Sequence, residues 1–355
     1  MLRSTPLPRG NARLFFAALL SVTVLSTRMA RAEGCAESEP FSPCFDANSL
    51  WLPAGRATFA SMPDTQVLSP GQLGFGTAAE LLHQPVMLRV ASPDRDGRDI
   101  QVVDHALDVS YFLAFGIARN FEASALASLR VAQSGAGVGG IDSQAAPALA
   151  RNAVRDPRLG VAYSLGDALG ARDFGLRVAL DASLPLGNRD PFASERSFVV
   201  MPNATFGYRK GALQLRAELG VRLRREVDFG GVRVGNQAFF ALGVAARLFP
   251  GWLTVSAEAF GLPALSDSRG SAASPRVSSA RLFPAEWLAG VHSSFGTSGP
   301  WTVSLSAGSG IPLSSETRDS PSGPQTSHFL GLTSADFRAL LVVRFAPTDL
   351  TAAPR

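Results

Sequence analysis

Between residues 212 and 224 apolar and polar side chains alternate almost without a break. Leu213, Leu215, Ala217, Leu219, Val221 and Leu223 fall on one face, and Gln214, Arg216, Glu218, Gly220, Arg222 and Arg224 on the other. A period of two is the signature of a β-strand with unlike faces. Similar segments, about 10–13 residues long and separated by turn-rich sequence, recur along the chain. They predict strands near 71–82, 105–116, 120–132, 157–165, 173–185, 198–208, 212–224, 236–248, 252–262, 286–296, 301–311 and 335–346. Few stretches carry a helical period, and past residue 32 no apolar run is long enough for a spanning helix.

Alternation alone fits two architectures. In a soluble sandwich the charged face meets water and the apolar face meets a second sheet. In a transmembrane barrel the apolar face meets lipid and the charged face lines the lumen. The connections separate the two. Long ones (83–104, 133–156, 186–197, 225–235, 263–285, 312–334) alternate strictly with short ones (117–119, 166–172, 209–211, 249–251, 297–300). Outer-membrane barrels have long external loops and short periplasmic turns. The expected fold class is therefore all-β, an antiparallel up-and-down barrel of about 12 strands, with both barrel ends on the periplasmic side.

The aromatic residues agree. Phe115 and Phe121 flank the first short turn, Phe206 and Tyr208 precede the third, Phe249 and Trp252 flank the fourth, Phe295 and Trp301 flank the fifth, and Phe345 closes the last strand. Rings gathered at one end of the strands read as an interfacial girdle. Phe198, Phe240, Trp287 and Phe337 belong to the opposite girdle. Pro202, inside the sixth strand, removes a ladder donor and is expected to mark a bulge.

Read inward, the alternation gives Glu122, Arg130, Arg158, Arg177, Asp181, Arg216, Glu218, Arg222, Arg247, Glu258, Glu286, His292, Arg338 and Arg344 as lumen-lining residues. Facing lipid at mid-depth, such charges would cost roughly 2–4 kcal/mol each. Their confinement to one face supports a membrane barrel. It leaves open whether they line a water-filled pore or pair across the barrel and seal it.

Composition refines the picture without changing it. The chain is 46% hydrophobic and 17% charged, with 34 Gly, 24 Pro and two Cys, which excludes disorder and a disulfide-built scaffold. The pI near 9.6 belongs to the leader. Residues 1–32 hold Arg3, Arg9, Arg13, Arg28 and Arg31 and no acid, so their removal takes the net charge from +4 to −1. No basic cluster remains for nucleic acid.

The leader has the form of a cleaved signal peptide. The positive start, the apolar run Leu14–Leu25 and the small residues Ala30 and Ala32 before Glu33 supply its three parts. Cys35 and Cys44, in an exported segment, are expected to form a local disulfide. The organisation is then a signal peptide (1–32), a periplasmic segment with the disulfide (33–70), an outer-membrane barrel (71–346) and a short periplasmic tail (347–355). Leu50-Trp51-Leu52-Pro53 could fold back toward the periplasmic mouth and restrict flow.

Candidate chemistry is sparse. His292-Ser293-Ser294 echoes the His-x-Ser element of outer-membrane phospholipases, but no orienting acid or oxyanion donor can be assigned. Asp104-His105 lacks the second acidic pair of the barrel proteases. Gly135–Gly140 has no following Lys-Ser/Thr, so it reads as a flexible loop rather than a phosphate cradle. No metal site and no cofactor are expected.

Three short motifs carry a family resemblance. Phe115-Gly116-Ile117-Ala118-Arg119-Asn120-Phe121-Glu122 resembles a strand–turn–strand element of outer-membrane barrels. Asp156-Pro157-Arg158-Leu159-Gly160 resembles their Gly-Asp-x-x-Leu strand start, and Leu184-Pro185-Leu186-Gly187 their Leu-Pro-Thr-Gly strand exit. The group includes MetA-type small-molecule transporters of phenol degradation and the barrel modules of OmpA-family proteins. Only ten residues follow Phe345, so no peptidoglycan-binding domain of the OmpA kind is expected. The resemblance implies outer-membrane lipid and the barrel-assembly machinery as partners. The expected function is passive passage of small solutes through a narrow, mixed-charge lumen. The alternative is a closed structural barrel displaying flexible loops, with an outer-membrane hydrolase third.

Overall fold

The computed structural model describes residues 41–90, 98–140, 149–166, 173–189, 191–195, 197–249, 252–270, 273, 277–295, 299–320 and 323–347. Twelve long antiparallel strands close into one barrel. They are β1 (Leu73–Val90), β2 (Arg98–Ala118), β3 (Phe121–Ser134), β4 (Arg158–Ser164), β5 (Phe174–Ser183) and β6 (Val199–Lys210), followed by β7 (Leu213–Arg222), β8 (Gln237–Phe249), β9 (Leu253–Gly261), β10 (Ala285–Phe295), β11 (Trp301–Gly310) and β12 (Phe337–Phe345). Each pairs with its neighbours in sequence, and β1 closes on β12 from Phe75↔Phe345 to His83↔Phe337. Closure leaves no sheet edge, which a bilayer requires of any strand-built span. Among the described residues no helix is long and apolar enough to cross a membrane.

The alternation of the sequence becomes the two faces of the wall. Leu213, Leu215, Leu219 and Leu223 are exposed on the outside, while Gln214, Arg216, Glu218 and Arg222 are buried inside. At the short-turn end several of the rings expected there pack against one another. Phe75, Trp301 and Phe345 pack together with centroids 5.0–5.8 Å apart. Phe249 stacks on Trp252 at 5.5 Å, and Phe115, Phe206 and Phe295 point outward.

Three local expectations are corrected. Pro202 produces no bulge: it pairs in unbroken register with Leu180. On its other side the ladder skips from Val200↔Leu223 to Asn203↔Gly220 without a shift, so the missing N–H costs a gap and no extra residue. The glycines at 135–140 are not loose. Ala136 and Gly137 donate to Gln101 O and Val102 O at 2.9 Å each, and Val138–Gly140 forms a 3-10 turn. Described parts of three long loops, 225–235, 263–285 and 312–334, are also built rather than merely flexible. Val227–Phe229 pairs with Val232–Val234, and Val277–Arg281, Ser314–Arg318 and Gln325–Phe329 form a small three-stranded sheet.

The largest departure concerns the segment before the barrel. Instead of lying in the periplasm, residues 41–69 run through the lumen from the loop end to the turn end. At the loop end Phe41 meets Phe229 edge-on at 6.1 Å, and Ser42 N donates to Asp228 O at 3.1 Å. At the turn end Leu68 N donates to Glu122 at 3.0 Å and Gly71 N to Gly116 O at 2.8 Å. The segment has no strand of its own, so side chains of the wall satisfy much of its backbone. The expected disulfide involves Cys35, which lies outside the described residues, as do the signal peptide and most of the C-terminal tail; Cys44 is buried.

Candidate functional site

The site is the occupied lumen. Its apolar part is a cluster in which Leu50, Leu52, Phe59 and Met62 of the inner segment pack against the inward rings Phe112, Phe239 and Phe260 with Leu288 and Leu340. Full burial of a side chain of this size is worth about 1.5–3 kcal/mol. This cluster gives the segment much of its hold.

The polar part holds the segment at specific points. Near the loop end Asn48 is a hub. Its Nδ2 donates to Glu80 at 2.6 Å and to Asp108 at 3.1 Å, and its Oδ1 accepts from Arg338 at 2.9 Å. Arg338 also forks onto Glu286 at 2.6 and 2.8 Å and pairs with Glu80. Arg130 forks onto Asp108 at 2.8 and 3.1 Å, and Arg155 bridges Asp108 and Asp46 at 3.1 and 2.6 Å. Buried charges survive only when paired and hydrogen-bonded, and each of these is.

Farther down, wall groups grip the segment's backbone. Glu258 accepts from Ala60 N at 2.8 Å, Ser61 N at 2.9 Å and Ser61 Oγ at 2.5 Å. Arg344 donates to the carbonyls of Ala57 and Pro53, Arg222 to that of Ser49, and Arg216 to that of Pro63. Trp51 lies between two guanidinium groups, with Arg222 at 4.5 Å and Arg158 at 5.1 Å from its ring centre. Such contacts contribute up to about 2 kcal/mol when desolvated.

Room for the segment comes from small residues in the wall. Gly175 and Gly207 are register partners on β5 and β6, and Thr65 lies against both. A Cβ at Gly207 would stand 2.8 Å from Thr65 Cγ2, inside van der Waals contact.

The loop end is capped. Phe45, Phe192 and Phe229 form a triangle of edge-to-face rings at 5.3–5.5 Å. Phe192 sits at φ 57°, a strained value for a bulky residue. Its carbonyl is held by Ala47 N at 2.9 Å and Arg130 at 3.0 Å. The connection carrying Phe192 is tied to Asp156, which accepts from Gly187 N, Ser194 Oγ and Glu195 N at 2.6–2.8 Å. Burial nevertheless pushes the Asp156 carboxyl up to about 6, against the pull of those donors.

Twelve of the fourteen residues expected to face the lumen are buried there: Glu122, Arg130, Arg158, Arg177, Arg216, Glu218, Arg222, Glu258, Glu286, His292, Arg338 and Arg344. Asp181 is half-buried and accepts from Asn203 at 2.7 Å. Arg247 is exposed at the turn-end mouth. His292 shares hydrogen bonds with Ser256 Oγ at 2.7 Å through Nε2 and with Ser304 Oγ at 2.8 Å through Nδ1, one ring nitrogen donating and the other accepting, and no carboxylate orients its ring.

Sequence reasoning pointed to Leu50–Pro53 as a piece that could restrict the mouth, and Trp51 does lie inside the lumen, but it gave no sign of the partners Asn48, Ser61 and Asp64 in the same inner segment. It also expected no metal-ligand geometry, whereas His83, Asp104 and His105 bring ligand atoms within 4.8 Å of one another at the β1–β2 pair. That group is partly exposed and takes no part in the lumen contacts.

Space remains inside. A cavity of about 50 Å³ lies beside Trp51, lined by Arg158, Arg177, Asp181 and Glu218. Nη1 of Arg158, Oε2 of Glu218 and Nε of Arg222 are buried there or nearby without a protein partner. The volume suffices for a few waters. A second cavity, about 270 Å³, opens at the turn end.

No known protein family and no curated protein matches the chain. Among solved structures, an outer-membrane channel from Pseudomonas putida F1 is similar over 79% of this chain and 97% of its own, with 14% identity and a TM-score of 0.50. KdgM porin, solved with oligogalacturonate, follows at 8% identity and TM-score 0.40, over 77% and 99% of the two chains. The toluene transporter TbuX of Ralstonia pickettii stands at 9% and 0.33, over 79% and 90%. The likeness to the Pseudomonas channel is one of fold. The chain has the architecture of an outer-membrane β-barrel, with a lumen threaded by its own residues 41–69.

Proposed function

We propose that this protein is an outer-membrane channel for small solutes, exported by a cleaved signal peptide, whose lumen is narrowed by residues 41–69. One observation carries the reading. The inner segment pairs with no barrel strand and is held by side chains, so it can be displaced without breaking the ladder that keeps the barrel closed. A structural barrel with no solute path has no need of a removable filling. The polar cavities along the segment supply the start of a wet path, with Arg158, Arg177 and Glu218 as the wall residues a solute would pass. The resemblance of the 115–122, 156–160 and 184–187 motifs to MetA-type transporters supports transport rather than a specific solute. Outer-membrane lipid meets the leucine-rich outer wall and its aromatic girdle, and Phe345, closing the last strand, is the aromatic offered to the assembly machinery.

The closed-barrel reading rests on Arg338, which ties Glu80, Glu286 and Asn48 together across the loop end. Under it, the segment would be a permanent core. Enzymatic hydrolysis is not proposed, because the second ring nitrogen of His292 meets a serine hydroxyl where a triad needs an orienting carboxylate. Liposome swelling distinguishes the two main readings. Vesicles carrying the protein should admit small solutes faster than empty ones under the channel reading, and at the same rate under the closed one.

A further inference from the structure

The turn-end cavity is lined by four arginines, Arg56, Arg209, Arg247 and Arg344, and one carboxylate, Asp64. Asp64 is already engaged by a fifth arginine, Arg216, at 2.5 Å. Arg344 spends Nη1 and Nη2 on backbone carbonyls, and its buried Nε has no protein partner. Arg209 reaches only the amide oxygen of Gln214, at 3.4 Å, and among the described residues neither Arg56 nor Arg247 makes an ion pair. Even with the nearby carboxylates Asp64 and Glu122 counted, these four guanidinium groups and Arg216 leave an excess of positive charge around one small space. A protein keeps such a cluster unpaired when something else supplies the negative charge.

We infer that this cavity is a binding site for a small multivalent oxyanion, bearing carboxylate or phosphate groups, that meets the channel at its short-turn mouth. Guanidinium forks match the paired oxygens of either group in a bidentate fashion. Gln214, Thr254 and Thr302 add neutral polar groups to the lining. The volume of about 270 Å³ equals that of roughly nine liquid waters at ~30 Å³ each. That suits a di- or tricarboxylate or a pyrophosphate. The inference rests on the channel reading for its biological use, because an anion held here lies in the path between the inner segment and the turn-end opening. The site itself does not depend on flow.

The test is equilibrium binding of citrate and of pyrophosphate to the full chain in nonionic detergent at low salt, followed by calorimetry. Arg209 and Arg247 are exposed at the rim, so Arg209→Gln with Arg247→Gln leaves the fold intact, which heat-modifiable gel mobility checks. Saturable one-to-one binding that weakens at least tenfold in this variant, and not in Arg281→Gln in the loop sheet, supports the site. Citrate alone would mark a carboxylate site, pyrophosphate alone a phosphate site, and both a general oxyanion site. No binding of either anion, or equal binding by the rim variant, overturns it. Conductance without anion binding would defeat this site alone, whereas anion binding without conductance would leave the site standing and defeat the channel.

Discussion

Asn48 and Arg338 are 290 positions apart and meet at 2.9 Å inside the barrel. Asn48 belongs to the inner segment and Arg338 to the last strand, so their contact joins the filling of the lumen to the seam where the barrel closes. The same amide also donates to Glu80 and Asp108. Replacing Asn48 by Ala leaves three buried charged groups short of a partner. Loss of a single buried partner costs about 1–3 kcal/mol. The N48A barrel should therefore stay folded while residues 41–69 become more open to protease than in the unmodified protein. Limited proteolysis of the folded protein in detergent checks this, and unchanged protection would show that the apolar cluster alone holds the segment.

Gly207 makes a more selective probe. Gly207→Val keeps the strand, since valine suits a pleated wall. It also drives two methyl groups toward Thr65, where even a single Cβ is too close. The variant should keep heat-modifiable mobility while its lumen conducts more than that of the parent. Lower barrel stability with no change in conductance would place the strain in the wall instead.

Trp51 tests whether the constriction lies beside the smaller cavity. Its ring fills the space between Arg158 and Arg222 and borders the 50 Å³ cavity. Trp51→Ala should enlarge that cavity, expose both guanidinium groups to solute and raise the single-channel current several-fold. A current equal to that of the parent would mean that the constriction lies elsewhere, the Phe45–Phe192–Phe229 cap being the next place to look.

The loop end should respond to pH through Asp156. Its carboxyl titrates near 6 in the folded protein, above the 3.8 of the ordinary group. Between those values the folded state binds the proton that the unfolded chain releases. The contribution of Asp156 to stability is thus complete below pH 4 and is lost as the pH rises through 6. Thermal unfolding between pH 4 and 7 should show this downward slope, and Asp156→Asn should flatten it. A slope that is unchanged in the variant would assign it to another group.

Much of the barrel was legible in the sequence because its cause is local. Alternation of the kind seen at Leu213–Arg222 needs only the period of a strand and two unlike surroundings, and all twelve strands lie close to where the pattern put them. The inward direction of residues such as Glu258 and Arg338 followed from the same parity. The occupant of the lumen left no such trace. Residues 41–69 have no period of their own, because backbone groups such as Ala60 N and the Pro53 carbonyl are satisfied by side chains about 200 or more positions away. For the same reason Glu258 and Arg344 read as bare lumen charges, when they are the anchors of that segment. The faint local sign was small residues on the inner face, Gly175 beside Gly207, where a wide wet pore would need none.

Single-channel conductance shows whether residues 41–69 close a path which the barrel would otherwise offer. The full chain and one lacking residues 41–69 would be refolded, shown to be heat-modifiable and compared in planar bilayers. Small or absent steps are expected from the full chain and large, stable openings from the shortened one. Equal conductance from two folded barrels would contradict that closure.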